Sequence, residues 1–527
     1  MLRPLPFATS FSIPLAHRQK LPILAVMLLA GITHAVNMLR FPFYDNVEGL
    51  NMASAWSILH EGSLSPYTYI YDNPPLGWVL LAVWLAIGRI LPATGTVLAL
   101  GRFFMLLVHL LTVLLIYGVA RKLRLSQPFA LFAVLLFSLS PLAIILQRRI
   151  LVENLMILWV LLALYSVLGN RRTLLHYAAS AGALGIAFLT HVAALSFFPA
   201  IFYLVYKESH RAHRRFALTL WLAIVIGLSL GFPLQALLKE ELLPAGVAFG
   251  GSHPHVSFYE TQSAQLERIP AQEFLHRDSS FMINLNRWLS FDEAASDRAF
   301  MGVGLASAGL VILLAMFQSP HLRPLALLLL FYGLHLATLQ RLFDPGIIPL
   351  LPFLAISVGI VAQAAGQFVS QQIRPKVIRY PLYAALAIPF VTLFSWTYLH
   401  KLDLYQVDQT SMQVEAVRWI SQHAPADSLV VTDSYAFVDL RQTLPNAHYY
   451  WAVDEDPQVR DEVMANNWCN IDYLLTTPQM LADVAANRLQ LSLTAHRGSV
   501  TRQRYDNNGW PIDIREVEKH NCNIPFP

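Results

Sequence analysis

Asp45 and Glu48 stand three residues apart in "FYDNVEGL", a spacing that puts two carboxylates on one face of a helical turn. They follow directly on an apolar run ending near residue 39, where a membrane-embedded substrate meets water. Arg148, Arg149 and Glu153 come in "LQRRILVEN", His191 in "FLTHVAA" and Arg341 in "LQRLFDPG". An acid can take the proton of a hydroxyl, and guanidinium or imidazolium can hold a departing phosphate. The set therefore suits reaction between a lipid-linked anion and a neutral nucleophile. Arg149 and Glu153 are also four apart and on a continuous helix would neutralise each other. Asp72 in "YDNPPLG" and His255 in "GSHPHVSFYE" are supporting candidates.

Other chemistries are poorly served. His253, His255 and Glu260 make a sparse H-x-H pattern, and Pro254 between the histidines points to a rigid loop before a metal site. No metal is assigned and no cofactor is expected to be required. His34, His109 and His335 lie in or near apolar runs, where single histidines serve helix–helix hydrogen bonds. There is no P-loop, no G-x-G-x-x-G after a strand and no zinc-type cysteine spacing.

The elements that must position these residues belong to a membrane. Of 527 residues 55% are hydrophobic and only 13% charged, about half the charged share of a soluble domain, with a mean hydropathy of +0.47. No long Lys/Arg tract appears, which argues against nucleic acid as a partner. Apolar runs fall at roughly 21–39, 98–120, 127–146, 150–168, 174–190, 191–206, 216–238, 300–317, 323–340, 347–363 and 380–398. The first reads as an uncleaved span rather than a signal peptide, since no small-x-small cleavage site follows it. A further run, 76–91, has about sixteen uninterrupted residues, ~24 Å of helix against a ~30 Å hydrocarbon core.

Basic loops stay cytoplasmic, and here they are 119–127, 169–177, 206–215 and 371–379. With all of them and the N-terminus inside, about eleven spans result, provided that 76–91 lies along the outer face. Outside are then the loops 40–97 and 239–299, the turns carrying Arg148, Glu153, His191 and Arg341, and everything after 400. Arg148 and Arg149 break the positive-inside pattern, and such a violation at a short loop marks function.

Beyond 400 the pattern becomes soluble, alternating amphipathic helix with short strands ("MQVEAVRWISQH", "SLVVTDSY", "IDYLLTTPQMLADV"). The expected organisation is an all-α polytopic membrane domain over 1–399 and an extracytoplasmic α/β domain over 400–527. The only cysteines, Cys469 and Cys522, both fall in this second domain, and in an oxidising compartment a disulfide between them is expected.

The stretch "YDNVEGLNMASAWSILHEGSLSPYTYIYDNPPLG" resembles the first external loop of the GT-C glycosyltransferases. The nearest branch is that of the bacterial relatives of the dolichyl-phosphate-mannose protein mannosyltransferases and of the lipid A aminoarabinose transferase. Glu48-Gly49, Gly62 through Tyr67 and Pro74-Pro75-Leu76 match its acidic motif, its Gly-x-x-x-Pro-Tyr stretch and its Pro-Pro-Leu turn. "LSPLAIILQRRILVENLMILW" is similar to the next external motif, with Arg148 and Glu153 in matching places. "ALGIAFLTHVAALSFFPA" resembles the Leu-Thr-Lys segment, with His191 in place of the lysine, and "RLFDPGIIPLLPFLAI" a late Pro-rich turn. The family's paired Asp-Glu is split here, with Val47 before Glu48.

The resemblance implies a GT-C fold and an inverting transfer of sugar from a polyprenyl-phosphate donor to a hydroxyl acceptor (lipid, glycan or protein). It would take place at the outer face of a bacterial inner membrane. Asp45 or Glu48 would be the base, and Arg148, Arg149, His191 and Arg341 would bind the donor phosphate. The rival from another class is a transporter or lipid flippase, which would place ionisable groups near mid-membrane and show an internal duplication. The informative charges crowd one face instead, and the halves show no repeat. A scaffolding relative with a degenerate site is the third reading.

Overall fold

The structure, a computed structural model, describes residues 15–88, 95–169, 173–253, 255–266, 273–290, 296–339, 344–373, 375–507 and 510–523. Each apolar run named above carries helix. In order these are α1 (Leu15–Ala35), the loop helices α2 (Asn46–His60) and α3 (Leu76–Gly88), α4 (Val97–Lys122), α5 (Gln127–Leu139), α6 (Pro141–Arg148), α7 (Val152–Val167), α8 (Leu174–Thr190) and α9 (Phe198–Glu208). Then come α10 (Arg214–Ser229), α11 (Gly231–Leu238), the loop helices α12 (Phe258–Leu266) and α13 (Ser280–Trp288), α14 (Arg298–Phe317), α15 (Arg323–Thr338), α16 (Leu351–Gln372) and α17 (Lys376–Leu399).

Among the described residues six helical segments are long and apolar enough to cross a membrane, and seven if the bent pair α5–α6 forms one span. That pair bends by 65° at Ser140. Ser140 caps α6 and Pro141 opens it, a combination that starts a helix and cannot continue one. Of the segment 76–91 the described residues, 76–88, are all in α3. Gly77 lets α3 approach closely, since a Cβ there would come within 2.8 Å of Val152.

After α18 (Asp403–Gln406) a C-terminal α/β unit follows: α19 (Ser411–His423), β1 (Val430–Thr432), α20 (Ser434–Arg441), β2 (Ala447–Tyr449), α21 (Tyr450–Glu455), β3 (Tyr473–Thr476), α22 (Pro478–Asn487), α23 (Gln490–Arg497), β4 (Ser499–Asn507) and β5 (Trp510–Val517). The sheet order is β2-β1-β3-β5-β4. β1 runs parallel to β2 and β3, pairing Val431 with His448 and Leu474, while β5 is antiparallel to both β3 and β4. On α19 the buried residues Ala416 and Ile420, four apart, pack with Ile512 and Ile514 of β5. A disulfide joins Cys469 to Cys522 with Cα atoms 5.7 Å apart, tying the entry to β3 to the chain beyond β5.

The two units share a core. Tyr44, Met52 and Ala55 of the first loop share one cluster with Ala416, Ile420, Tyr435, Leu440 and Ile514 of the C-terminal unit. Gly49 and Ala53, four apart on one side of α2, are small enough for α20 to lie against that side. At Gly49 a Cβ would stand 2.3 Å from the Ser434 carbonyl carbon, so any side chain there forces the two helices apart. Gln413 doubles the tie by accepting from the Tyr44 N–H and donating to its carbonyl, both at 2.8 Å.

Candidate active site

The first loop is held by two arginines that donate every N–H they have. Arg148, at the end of α6, donates to the carbonyls of Thr33, His34, Val36, Phe41 and Leu404 at 2.7–3.3 Å. The last carbonyls of α1 lack helical partners, and the guanidinium supplies them. An arginine has five N–H groups, so Arg148, only 2% exposed, has none left for a phosphate in this structure.

Arg102 of α4 does the same for the next few residues. It donates to the carbonyls of Met38, Pro42 and Phe43 at 2.8–3.3 Å and to both oxygens of Glu48 at 3.0 and 2.8 Å. Nothing in the sequence reading singled Arg102 out. A lone charge within the apolar run 98–120 was the available signal.

Glu48 is fully enclosed. Its Oε1 also accepts the Ile150 N–H at 3.2 Å, and its Oε2 the Asp45 N–H at 3.4 Å. Asp45 returns the bond, taking the Glu48 N–H on Oδ1 at 2.9 Å, which makes a capping box at the start of α2. The other oxygen, Oδ2, lies 3.1 Å from Arg149 Nη1, with the two side chains 10% and 13% exposed. Arg149 also lies over the Phe43 ring at 5.5 Å, and its Nε has no partner.

Arg149 does not pair with Glu153, because the helix breaks between them: α6 ends at Arg148 and α7 begins at Val152. Glu153 instead sits 3.8 Å from His191 Nε2, and its Oε2 has no partner. The Ala193 N–H donates to His191 Nδ1 at 3.1 Å. Asp72 accepts from the Asn73 N–H at 2.8 Å. Burial pushes its carboxyl above the usual range, against the opposing pull of the Asn73 bonds and His191.

His255 stands apart, with both ring nitrogens against backbone carbonyls, those of His253 and Leu243. The stretch 70–72 is covered by α12, where Thr261, Gln262 and Gln265 donate to the carbonyls of Ile70, Tyr71 and Asp72. Arg341 lies outside the described residues. Among the described residues no three or more His, Cys, Asp or Glu side chains gather as metal ligands.

Long apolar helices, acid-bearing loop helices and an attached α/β unit give the chain the fold of the polytopic GT-C glycosyltransferases, which it resembles. Residues 72–234 match the family described as dolichyl-phosphate-mannose-protein mannosyltransferase. The chain is similar to ArnT from Cupriavidus metallidurans bound to undecaprenyl phosphate: 13% identity, TM-score 0.58, 95% of this chain and 98% of that one. It is also similar to the oligosaccharyltransferase AglB from Archaeoglobus fulgidus in complex with an inhibitory peptide and a dolichol-phosphate. There the identity is 11% and the TM-score 0.57, over 95% of this chain and 74% of that one. No curated protein sequence matches the chain.

Proposed function

We propose that the chain is a glycosyltransferase that moves a sugar from a polyprenyl-phosphate carrier to a hydroxyl acceptor at the outer face of a membrane, with inversion at the anomeric carbon. The observation that carries the reading is the Asp45–Arg149 pair, an acid and a cation held together at the rim of the first loop. The relatives bound to undecaprenyl phosphate and dolichol-phosphate agree with a lipid-phosphate donor.

In this reading the donor phosphate draws the Arg149 guanidinium to itself and leaves Asp45 Oδ2 uncovered. The acceptor oxygen bonds to the anomeric carbon as the carbon–oxygen bond to phosphate breaks. Asp45 takes the hydroxyl proton, and the polyprenyl phosphate leaves paired with Arg149. In this reading His191, whose Nε2 lies 3.8 Å from Glu153, gives up that partner to become a second ligand of the phosphate. Glu48 and Arg148 hold the loop in shape, because their hydrogen-bonding capacity is already used. The N-terminus would be cytoplasmic and the C-terminal unit outside. The test is to offer the purified full chain a panel of short-chain polyprenyl-phosphate sugars and read product and anomeric configuration by NMR. Inverted glycoside from at least one donor is expected, and no transfer from any of them defeats the reading.

A further inference from the structure

A cavity of about 570 Å³ lies where the chain passes from α17 into the C-terminal unit. Its walls come from the start of α14, the end of α17, α18 and the segment that follows, and Phe41 of the first loop closes one side. Asp45, Arg149, Glu153 and His191 do not line it.

Both α14 and α17 are long and apolar enough to cross a membrane, and the cavity sits between the first residue of one, Arg298, and the last turn of the other. α17 lies on the outside of the bundle, exposing Ile388, Val391, Trp396 and Leu399. Trp396 also lines the cavity, so one wall is continuous with the surface that faces lipid. Tryptophan at such a level suits the boundary between acyl chains and headgroups. A membrane-anchored molecule can therefore enter sideways, its head in the cavity and its tail along α17.

The polar lining selects the kind of head. Asp297 and Asp403 set two carboxylates against the cations Arg298 and Lys401, so the charges cancel apart from the His400 ring. A phosphate would meet both carboxylates, which only accept and would repel it. A sugar presents hydroxyls that donate and accept, and a mixed lining of carboxylate, ammonium and amide suits it. The Asp297 oxygens take the Ser140 hydroxyl at 2.7 Å and the Phe300 N–H at 2.9 Å, and each keeps a further lone pair. Gln409 accepts the Phe43 N–H on Oε1 at 3.1 Å, which leaves its amide N–H groups for the cavity. The Trp396 ring lies against that of His400, centroids 4.3 Å apart, and stays 43% exposed. The C–H face of a pyranose can pack on such a ring while its hydroxyls reach the polar groups.

We propose that this cavity seats the acceptor, and that the acceptor is a sugar carried on a neutral lipid. Phe43 links the two places: its N–H is held by Gln409 of the cavity, and Arg149 of the Asp45 pair lies over its ring at 5.5 Å. The inference rests on the transfer reading above and names the acceptor class which that reading leaves open. The step is unchanged. A hydroxyl of the lipid-borne sugar bonds to the anomeric carbon, its proton passes to Asp45, and the polyprenyl phosphate departs.

The experiment has a binding arm and a transfer arm. Native mass spectrometry of the full chain, released from nanodiscs without donor, measures retention of three lipids with identical acyl chains: monoglucosyl-diacylglycerol, diacylglycerol and phosphatidylglycerol. The parent should retain the glucosyl lipid ~5–10-fold better than either of the others. Trp396→Ala and Asp403→Asn, both at exposed side chains, should each lower that preference roughly 3–10-fold. Equal retention of the three lipids, a preference for phosphatidylglycerol, or variants that bind like the parent would overturn the proposal. In the transfer arm, with the panel donor that the parent uses, both variants should raise the KM for the glucosyl lipid roughly 3–10-fold and leave the donor KM unchanged. Transfer to a serine- or threonine-bearing peptide but not to the glucosyl lipid, or a rise confined to the donor KM, would overturn it as well. A parent chain that transfers from no donor defeats the transfer reading, and the binding arm still decides whether the cavity takes a sugar-bearing lipid.

Discussion

Two acid–arginine pairs begin α2, three residues apart, and they are built for opposite ends. Glu48 and Arg102 are both fully buried, and each oxygen and each N–H of the pair has a partner. Asp45 and Arg149 keep part of their surface, and each retains capacity: Asp45 Oδ2 has one contact and Arg149 Nε none. A charge pair with all its bonds made holds a shape. One with bonds to spare and part of its surface open can exchange its partner for a substrate. Sequence spacing treats the two acids as equals, and burial separates them.

The comparison breaks most visibly at Asp45. Asp45→Asn keeps the cap and removes the base, so the transfer rate should fall ~10²–10⁴-fold while the melting temperature in nanodiscs stays near the parental value. Parental turnover in that variant would erase the distinction between the pairs. Glu48→Gln should fail in the opposite sense. It leaves the Arg102 charge buried without its counter-charge, and thermal or denaturant unfolding should show a loss of about 3–5 kcal/mol. Changing both partners together, Glu48→Leu with Arg102→Met, should recover much of that stability. A single variant as stable as the parent would mean that the pair holds nothing.

Gly49→Ala sharpens the contrast by disturbing neither pair directly. The new Cβ meets Ser434 backbone, and overpacking of this kind costs about 1–3 kcal/mol. Proteolysis should then release the C-terminal unit faster than in the parent, with the transmembrane helices intact.

The smallest effect is on pH. Burial pushes Asp439 up to about 6, and burial with the Asp45 charge does the same for Asp433. These folded values lie above the unfolded aspartate value of about 3.9, so between pH ~4 and ~6 the folded chain holds protons that the unfolded chain has lost. Docking of the C-terminal unit is therefore firmest below pH ~4 and weakens as pH rises to ~6, with little change beyond. Protease sensitivity of the seam should rise from pH 5 to pH 7. Asp439→Asn should flatten that rise, and an identical slope in the variant would count against the assignment.

Much of the helical framework was legible because lipid imposes one periodicity and one length scale. Every apolar run carries helix, and so do the described residues of the run near 76–91. The strand-and-helix character after 400 was legible in the same way. The roles of single charges were not. Arg148 and Arg149 are adjacent, and only the three-dimensional path of 33–41 and 404 gives one of them five carbonyl partners. Arg149 and Glu153 carried a helical spacing that the break between α6 and α7 annuls. Arg102 passed as part of an apolar run, and the demand on Gly49 comes from Ser434, far along the chain.

That last distance has a consequence in time. The bond from Ser434 to Asn46 spans 388 residues. A ribosome adding ~5–20 residues per second needs roughly 20–80 s to make that stretch. Through that interval the first helices can already be inserted, while α2 has only half of its packing partners and the flat side around Gly49 faces nothing. The site therefore matures only once α20 has been made, and a chain cut short before β1 would be membrane-bound, largely helical and still lacking the surface that packs on α2 beside Asp45.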